Sequence, residues 1–206
     1  MIFEGFGVGP MEANCYIIGC AETKEAAVVD PGAEGGRILS RLEKLGLQCK
    51  SIILTHGHMD HVGAINEVRQ ATDANVMIHS GDADMLTSPA QNLSLFMGSM
   101  LKFKKADRVL EDGDKVQVGN VLLEVIHTPG HTPGGICIKI KGGGIITGDT
   151  LFAGSVGRSD FPGGSHNVLI NSIKTRLLNF PDDTKVYPGH GPESSIGAEK
   201  KYNPFL

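Results

Sequence analysis

The stretch Ser51-Ile52-Ile53-Leu54-Thr55-His56-Gly57-His58-Met59-Asp60-His61 decides the reading of this chain. Its first five residues form a continuous apolar run of the kind that makes a strand buried on both faces. That run delivers the backbone directly to four side chains that can ligate a metal. In an extended segment residues two apart point to the same side, so His56 and His58 can reach one ion together. Asp60 and His61 fall where the next helix begins and can turn toward a second ion beside the first. Imidazole nitrogens and a carboxylate suit zinc, iron or manganese rather than calcium. One histidine alone is more often structural than a ligand. Four such groups within six residues, straight after a buried strand, are not.

Upstream, Asn14 to Gly19 and Ala26 to Val29 read as short strands rich in β-branched residues, closed by the break Asp30-Pro31-Gly32. Ile38, Leu39, Leu42 and Leu45 have helical spacing within Gly36 to Leu45, and Gly46 is a plausible C-cap. Downstream, Val62, Ile65 and Val68 predict a helix, and Asn75 to Ile78 a strand. The spacing of Leu93, Phe96 and Met100 predicts a further helix within Pro89 to Lys102. Strands follow at Lys115 to Val118, Val121 to Ile126, Ile136 to Ile140 and Ile145 to Thr147. Leu169, Ile170, Ile173 and Leu177 share a helical face over Asn167 to Leu178, and Lys185 to Tyr187 is a last strand. Two strand-and-helix halves bury these patterns best as two packed sheets with helices on the outer faces. No Pro-, Ser- or charge-rich linker interrupts them, so residues 1–206 are expected to form a single domain.

Three further candidate ligands each follow a strand, where rigid elements present loop residues to a site. His131 lies in Thr128-Pro129-Gly130-His131-Thr132, Asp149 in Gly148-Asp149-Thr150, and His190 in Pro188-Gly189-His190-Gly191. Structural zinc sites are usually closed and four-coordinate. Seven candidate ligands for two ions leave positions open for water and substrate, which favours catalysis. His127, four residues before His131, is open between orienting a ligand and simply ending a strand. His79 and His166 read as a strand end and a helix start. Gly157-Arg158-Ser159-Asp160-Phe161-Pro162-Gly163-Gly164 follows Asp149 closely enough to line a substrate pocket. Arg158 can clamp a substrate carboxylate or pair with Asp160, and Phe161 can form a pocket wall or pack beneath the loop.

These motifs, in this order, resemble the metallo-β-lactamase superfamily, and within it the short glyoxalase II-like (hydroxyacylglutathione hydrolase-like) branch. Glu12-Ala13-Asn14-Cys15-Tyr16 and Val29-Asp30-Pro31-Gly32 are similar to the family's opening hairpins. The resemblance covers nearly the whole chain. It implies an αββα four-layer sandwich, two mixed sheets with outer helices, carrying a two-metal site at one edge. It further implies that His56, His58 and His131 hold a first divalent ion and Asp60, His61 and His190 a second, with Asp149 bridging both. The ions would be Zn2+ in the first instance, with iron or manganese as alternatives, and a hydroxide between them the nucleophile. Asp60 would also orient that hydroxide and shuttle a proton.

The implied reaction is hydrolysis of a thioester of the hydroxyacyl-glutathione type. The chain ends at Leu206, shortly after the last candidate ligand, without the C-terminal helical extension that contacts glutathione in full-length members. Its Gly-Arg-Ser-Asp-Phe segment stands where those enzymes usually show Lys and Tyr, and resembles short bacterial members instead. Persulfide dioxygenases of the same superfamily share a similar loop and use one Fe(II) bound by two histidines and a carboxylate, so that reaction is the alternative.

Composition narrows the partners. A net charge of −4, with lysines dispersed, gives no footprint for nucleic acid, and a nuclease on this fold would need basic stripes or a large insertion. The longest uncharged apolar run, Asn14 to Cys20, is far short of the roughly 20 residues of a membrane span. Met1 to Gly5 has no signal-peptide character. Cys15, Cys20, Cys49 and Cys137 lack CxxC spacing and read as buried thiols in a reducing cytoplasm. A small-molecule substrate is the expected partner.

Overall fold

The computed structural model describes residues 1–206. Strands β1 (Ile2–Val8), β2 (Ala13–Gly19) and β3 (Glu25–Val29) open the chain. Helix α1 (Gly35–Lys44) leads to β4 (Gln48–Ile53), then α2 (Met59–Val62), α3 (Ile65–Thr72), β5 (Asn75–His79) and β6 (Arg108–Leu110). These strands form one sheet in the order β1-β2-β3-β4-β5-β6, antiparallel up to β3 and parallel from there on.

The second half begins with β7 (Lys115–Val118), β8 (Val121–His127), β9 (Ile136–Ile140) and β10 (Ile145–Gly148). A small hairpin of β11 (Leu151–Phe152) and β12 (Ser155–Val156) precedes α4 (His166–Ser172), which runs on in wider π turns to Leu177. Strands β13 (Lys185–Pro188) and β14 (Ser194–Ser195) and helix α5 (Ile196–Tyr202) complete the fold. The second sheet has the order β14-β13-β10-β9-β8-β7, with β13 parallel to β10.

The alternation along β2 shows how the layers arise, because neighbouring residues on a strand face opposite sides. Cys15 and Ile17 pack with Ile38, Leu42, Ile65 and Val68 beneath α1 and α3. Tyr16 and Ile18 turn the other way, onto Leu123, Val125, Ile136 and Ile138 of the second sheet. On the far side of that sheet, Ile126, Cys137, Ile145 and Val186 meet Leu169, Ile173, Leu177 and Ile196 of the α4–α5 layer. Three apolar seams therefore bind four layers, an αββα sandwich of two mixed sheets, as the patterning predicts. Burying a Leu or Ile side chain contributes about 1.5–3 kcal/mol, and these seams hold most of them. All four cysteines are free and buried, and no helix is long and apolar enough to cross a membrane.

The expected helix over Pro89 to Lys102 does not form. Ser94–Met97 make one 3-10 turn flanked by left-handed Leu93 (φ 68°) and Gly98, and Phe96 and Met100 lie in the open. The apolar spacing there does not mark a core-facing stripe. The buried side chain of Asn92 competes successfully for the backbone: it donates to the carbonyls of Met85 and Leu101 and accepts from the Ser94 amide. The helix read through Val62, Ile65 and Val68 is split in two, and β6, the β11–β12 hairpin, β14 and α5 carried too short a pattern to be read.

Candidate metal centre and its neighbours

Each candidate ligand leaves the end of a strand or the turn just after it, at one edge of the sandwich. The chain passes from β4 through Leu54 and Thr55 into His56 and His58, and α2 then presents Asp60 and His61. His131 stands on the loop after β8, Asp149 directly after β10, and His190 after β13. Gly148 takes φ 47° to turn β10 out of the sheet at that point. A side chain at Gly189 would sit 2.2 Å from Asp149 Oδ1 and 2.9 Å from the His61 ring, so only glycine lets this backbone approach the centre.

The seven residues converge. His131 Nε2 lies 3.0 Å from His58 Nδ1 and 3.3 Å from His56 Nε2. His61 Nε2 lies 3.3 Å from His190 Nε2, and His190 Nε2 lies 3.2 Å from Asp60 Oδ2. Asp149 stands between the two groups, with Oδ2 3.7 Å from His131 Nε2 and Oδ1 3.4 Å from His61 Nε2. His56–His58–His131, His56–His61–Asp149 and Asp60–His61–His190 each bring their ligand atoms within 4.8 Å of one another.

The outward-facing ring nitrogens have fixed partners. His131 Nδ1 donates to the carbonyl of Arg158 at 2.5 Å, and His190 Nδ1 to the carbonyl of Met11 at 3.1 Å. Thr55 Oγ1 gives its proton to Asp30 Oδ2 and so accepts from His56 Nδ1 at 3.2 Å. His61 Nδ1 donates to Asp30 Oδ2 at 3.0 Å. These bonds, assigned from the chemistry of each acceptor, turn the other nitrogen of each ring inward, as metal-ligating histidines require.

The charge balance of the centre favours a cation. Burial, followed by the imidazoles of His61, His131, His58 and His190, pushes His56 well below the ordinary histidine range. Burial and His131 push His58 down to about 3. These two rings stay neutral and offer lone pairs. His61 behaves oppositely. Burial opposes its charged form, but Asp149, Asp30 and Asp60 outweigh burial and push it up to about 10. Burial also opposes ionisation of Asp60, yet the His190 hydrogen bond and the charges of His61 and His190 hold it well below the carboxylate range. Asp149 Oδ1 is buried with no hydrogen-bond partner. An orphaned carboxylate oxygen amid inward-facing nitrogens is costly unless a cation is shared there, so the donor set fits two divalent ions.

Two buried carboxylates outside the candidate set, Asp30 and Asp82, brace it. Asp30 accepts from the Thr55 amide at 2.7 Å as well as from Thr55 Oγ1 and His61, and it does so from a left-handed backbone (φ 51°). Its local signal is a carboxylate that ends the apolar strand Ala26–Val29 in the turn Asp30-Pro31-Gly32, which does not mark it as a partner of His61. Asp82 accepts from the amides of Gly57 (3.2 Å) and Gly134 (2.6 Å) and from Thr132 Oγ1 (2.7 Å), tying the His56–His61 loop to the His131 loop. Nothing in its local sequence marks it.

Arg158 is exposed and pairs through its guanidinium with Asp160, Nη2 donating to Oδ2 at 3.0 Å, while lying 4.2 Å above the ring of Phe161. Phe161 in turn meets the His58 ring edge-on at 5.6 Å. His127 stacks on His79 at 4.0 Å and donates to the carbonyl of Pro133, so it braces the His131 loop without touching His131. His166 opens α4 and is exposed. A cleft of about 650 Å³ lies over the centre, reaching His58, Asp60, His131, Asp149 and His190 at its base.

The family model described as the metallo-beta-lactamase superfamily matches residues 8–190. This chain belongs to the metallo-β-lactamase superfamily. Over nearly its full length it is 38% identical to the probable metallo-hydrolase YqgX of Bacillus subtilis, covering 97% of this chain and 94% of that one. It is also 38% identical to the hydroxyacylglutathione hydrolase GloC of Haemophilus influenzae, covering 100% and 98%. Among solved structures, the BLEG-1 B3 metallo-β-lactamase superposes with a TM-score of 0.94 at 36% identity, covering 100% and 99%. A di-iron-bound form of TTHA1623 gives 0.88 at 36% (98% and 100%), and ETHE1 from Myxococcus xanthus 0.82 at 31% (99% and 84%). Membership of this metallo-hydrolase superfamily, together with hydrolase-named relatives, marks the chain as an enzyme with a His/Asp cluster able to bind divalent metals.

Proposed function

We propose that this metallo-β-lactamase superfamily member hydrolyses a thioester of the hydroxyacyl-glutathione type. The observation that carries the reading is the partnerless Asp149 Oδ1 between two groups of inward-facing histidines. His56, His58 and His131 are assigned to one ion, Asp60, His61 and His190 to the other, and Asp149 to both, with zinc as the first candidate and iron or manganese as alternatives. When bound, such ions polarise a carbonyl and make a coordinated water acidic enough to attack at neutral pH. Asp60 lines the cleft and is kept ionised by His190, so it accepts a hydrogen bond that orients the attacking water, and its weak basicity suits relaying a proton onward rather than retaining it. Phe161 forms a wall of the cleft, and Arg158 holds that wall in place by stacking on it. The likeness to the Haemophilus influenzae hydrolase supports the thioester as the bond broken. The seam between the sheets draws on both halves of the chain, which supports one domain. The four free cysteines support a reducing cytoplasm, and the net charge of −4 supports a small molecule rather than nucleic acid as partner.

One observation favours a second reading. His56, His61 and Asp149 form a two-histidine, one-carboxylate set within 4.8 Å, the triad that suits Fe(II) and oxygen chemistry. A persulfide dioxygenase would use it. Metal analysis of the purified protein, paired with assays on S-lactoylglutathione and glutathione persulfide, separates the two. Hydrolysis with two metals per chain is the expected result. Oxygen uptake with a single iron would overturn it in favour of the dioxygenase.

A further inference from the structure

The cleft over the centre is apolar where it opens. Met11, Leu93, Phe96, Met97, Phe161 and Pro162 form its walls, and Arg158 is the one cationic group among its lining residues apart from the histidines of the centre. That guanidinium is already engaged by the Asp160 carboxylate and by the Phe161 ring. These walls therefore contact the apolar part of a substrate and leave its carboxylates to solvent.

Phe96 and Met97 are 71% and 64% exposed, and they are held there by a built support. The turn that carries them rests on Asn92 and Ser94, both fully shut off from solvent. Asn92 bonds to Met85, Ser94 and Leu101, and the Ser94 hydroxyl accepts from the Leu101 amide. The carbonyl of Asn92 also accepts from the Met59 amide at 2.9 Å, anchoring the lip to the helix that presents Asp60 and His61. A satisfied buried polar network specifies one conformation. Here it fixes large apolar side chains in water at the mouth of the cleft, where contiguous apolar surface marks a binding site.

We infer that the Phe96–Met97 lip selects substrates bearing a bulky apolar substituent. The inference rests on the thioester reading above and deepens it by naming the substrate class. The substituent can belong to the acyl group or to the thiol, and the test carries one arm for each.

The kcat/KM values of the metal-loaded enzyme are compared for S-lactoylglutathione, S-hexanoylglutathione and the benzylthiol ester of lactate. At least one apolar thioester is expected to be preferred over S-lactoylglutathione by about tenfold or more, corresponding to two or so buried methylenes. The double variant Phe96→Ala/Met97→Ala is expected to erase most of that preference. Equal rates for the three thioesters, or an unchanged ratio in the variant, overturn the inference while leaving thioester hydrolysis intact. If no thioester is cleaved, the thioester reading falls and calorimetry decides the lip separately, with butanoate, hexanoate and octanoate as probes. Affinity rising about threefold per methylene, and flattened in the variant, supports the apolar lip; a flat series in the wild type overturns it. A dimer that dissociates in the variant while the substrate ratio holds also overturns it, because the lip then serves a second copy of the chain.

Discussion

Asp30 Oδ2 lies 3.0 Å from Nδ1 of His61, and both side chains are closed to solvent. The same carboxylate holds the amide and hydroxyl of Thr55, so one side chain orients His61 directly and His56 through Thr55. Asp30→Ala is expected to weaken metal affinity about 10–100-fold, the usual effect of losing a partner that orients a ligand. It is also expected to cost about 1–3 kcal/mol for the stranded donors. Competition with a chelator measures the first effect and chemical denaturation the second. Unchanged metal affinity in Asp30→Ala would show that His61 is positioned by packing alone.

Removing a proposed ligand tests the centre itself. Asp149→Ala and His131→Ala are each expected to lower kcat at least about 10³-fold and to reduce the bound metal per chain. The far-ultraviolet circular dichroism should remain that of the wild type, because the three apolar seams lie away from these side chains. Either variant retaining full turnover would sink the assignment.

The opposed shifts of His58 and His61 predict a stability optimum for the chelator-treated protein. His61 is raised to about 10, so its contribution is complete below an unfolded value near 6.5 and is lost as pH rises toward 10. His58 is lowered to about 3, so its contribution is complete above 6.5 and is lost as pH falls toward 3. Denaturant midpoints should therefore peak near pH 6.5, with the alkaline fall blunted in His61→Gln and the acid fall blunted in His58→Gln. Metal binding should release protons in the alkaline window, since a cation must displace the one on His61. Metal titration at pH 8 that releases no proton would refute the coupling.

Asp82 is expected to matter without reaching the cleft. Asp82→Ala strands the amides of Gly57 and Gly134 and the Thr132 hydroxyl, a cost of about 2–4 kcal/mol in denaturant unfolding. Because it ties two ligand loops together, metal affinity should fall as well, and Asp82→Asn should restore part of it. Full metal affinity in the alanine variant would confine Asp82 to a stabilising role.

Gly189→Ala adds a single methyl beside Asp149 Oδ1. The carboxylate must move, so bound metal and turnover are expected to fall together while Gly36→Ala, whose added methyl meets only Glu67 Oε1 at 3.5 Å, leaves bound metal near the wild-type level. Equal metal content in both variants would remove the crowding argument.

The layers and the seven-residue candidate set are legible in local pattern alone. Periods of two and 3.6 residues, each ending in a turn, are local signals, and alternation along a strand such as β2 dictates which side chains enter which seam. The clustering of His56, His58, Asp60 and His61 is likewise local. What surrounds those residues is set by contacts that fold distant segments together. Asp30 and Asp82 act across 25 or more residues of chain, on Thr55 and on Thr132, and no local pattern encodes a hydrogen bond of that reach. The lip at Phe96 and Met97 differs in kind: its apolar spacing promises a helix, and a buried Asn92, bonded to the nearby backbone of Met85, Ser94 and Leu101, competes locally and holds it open instead.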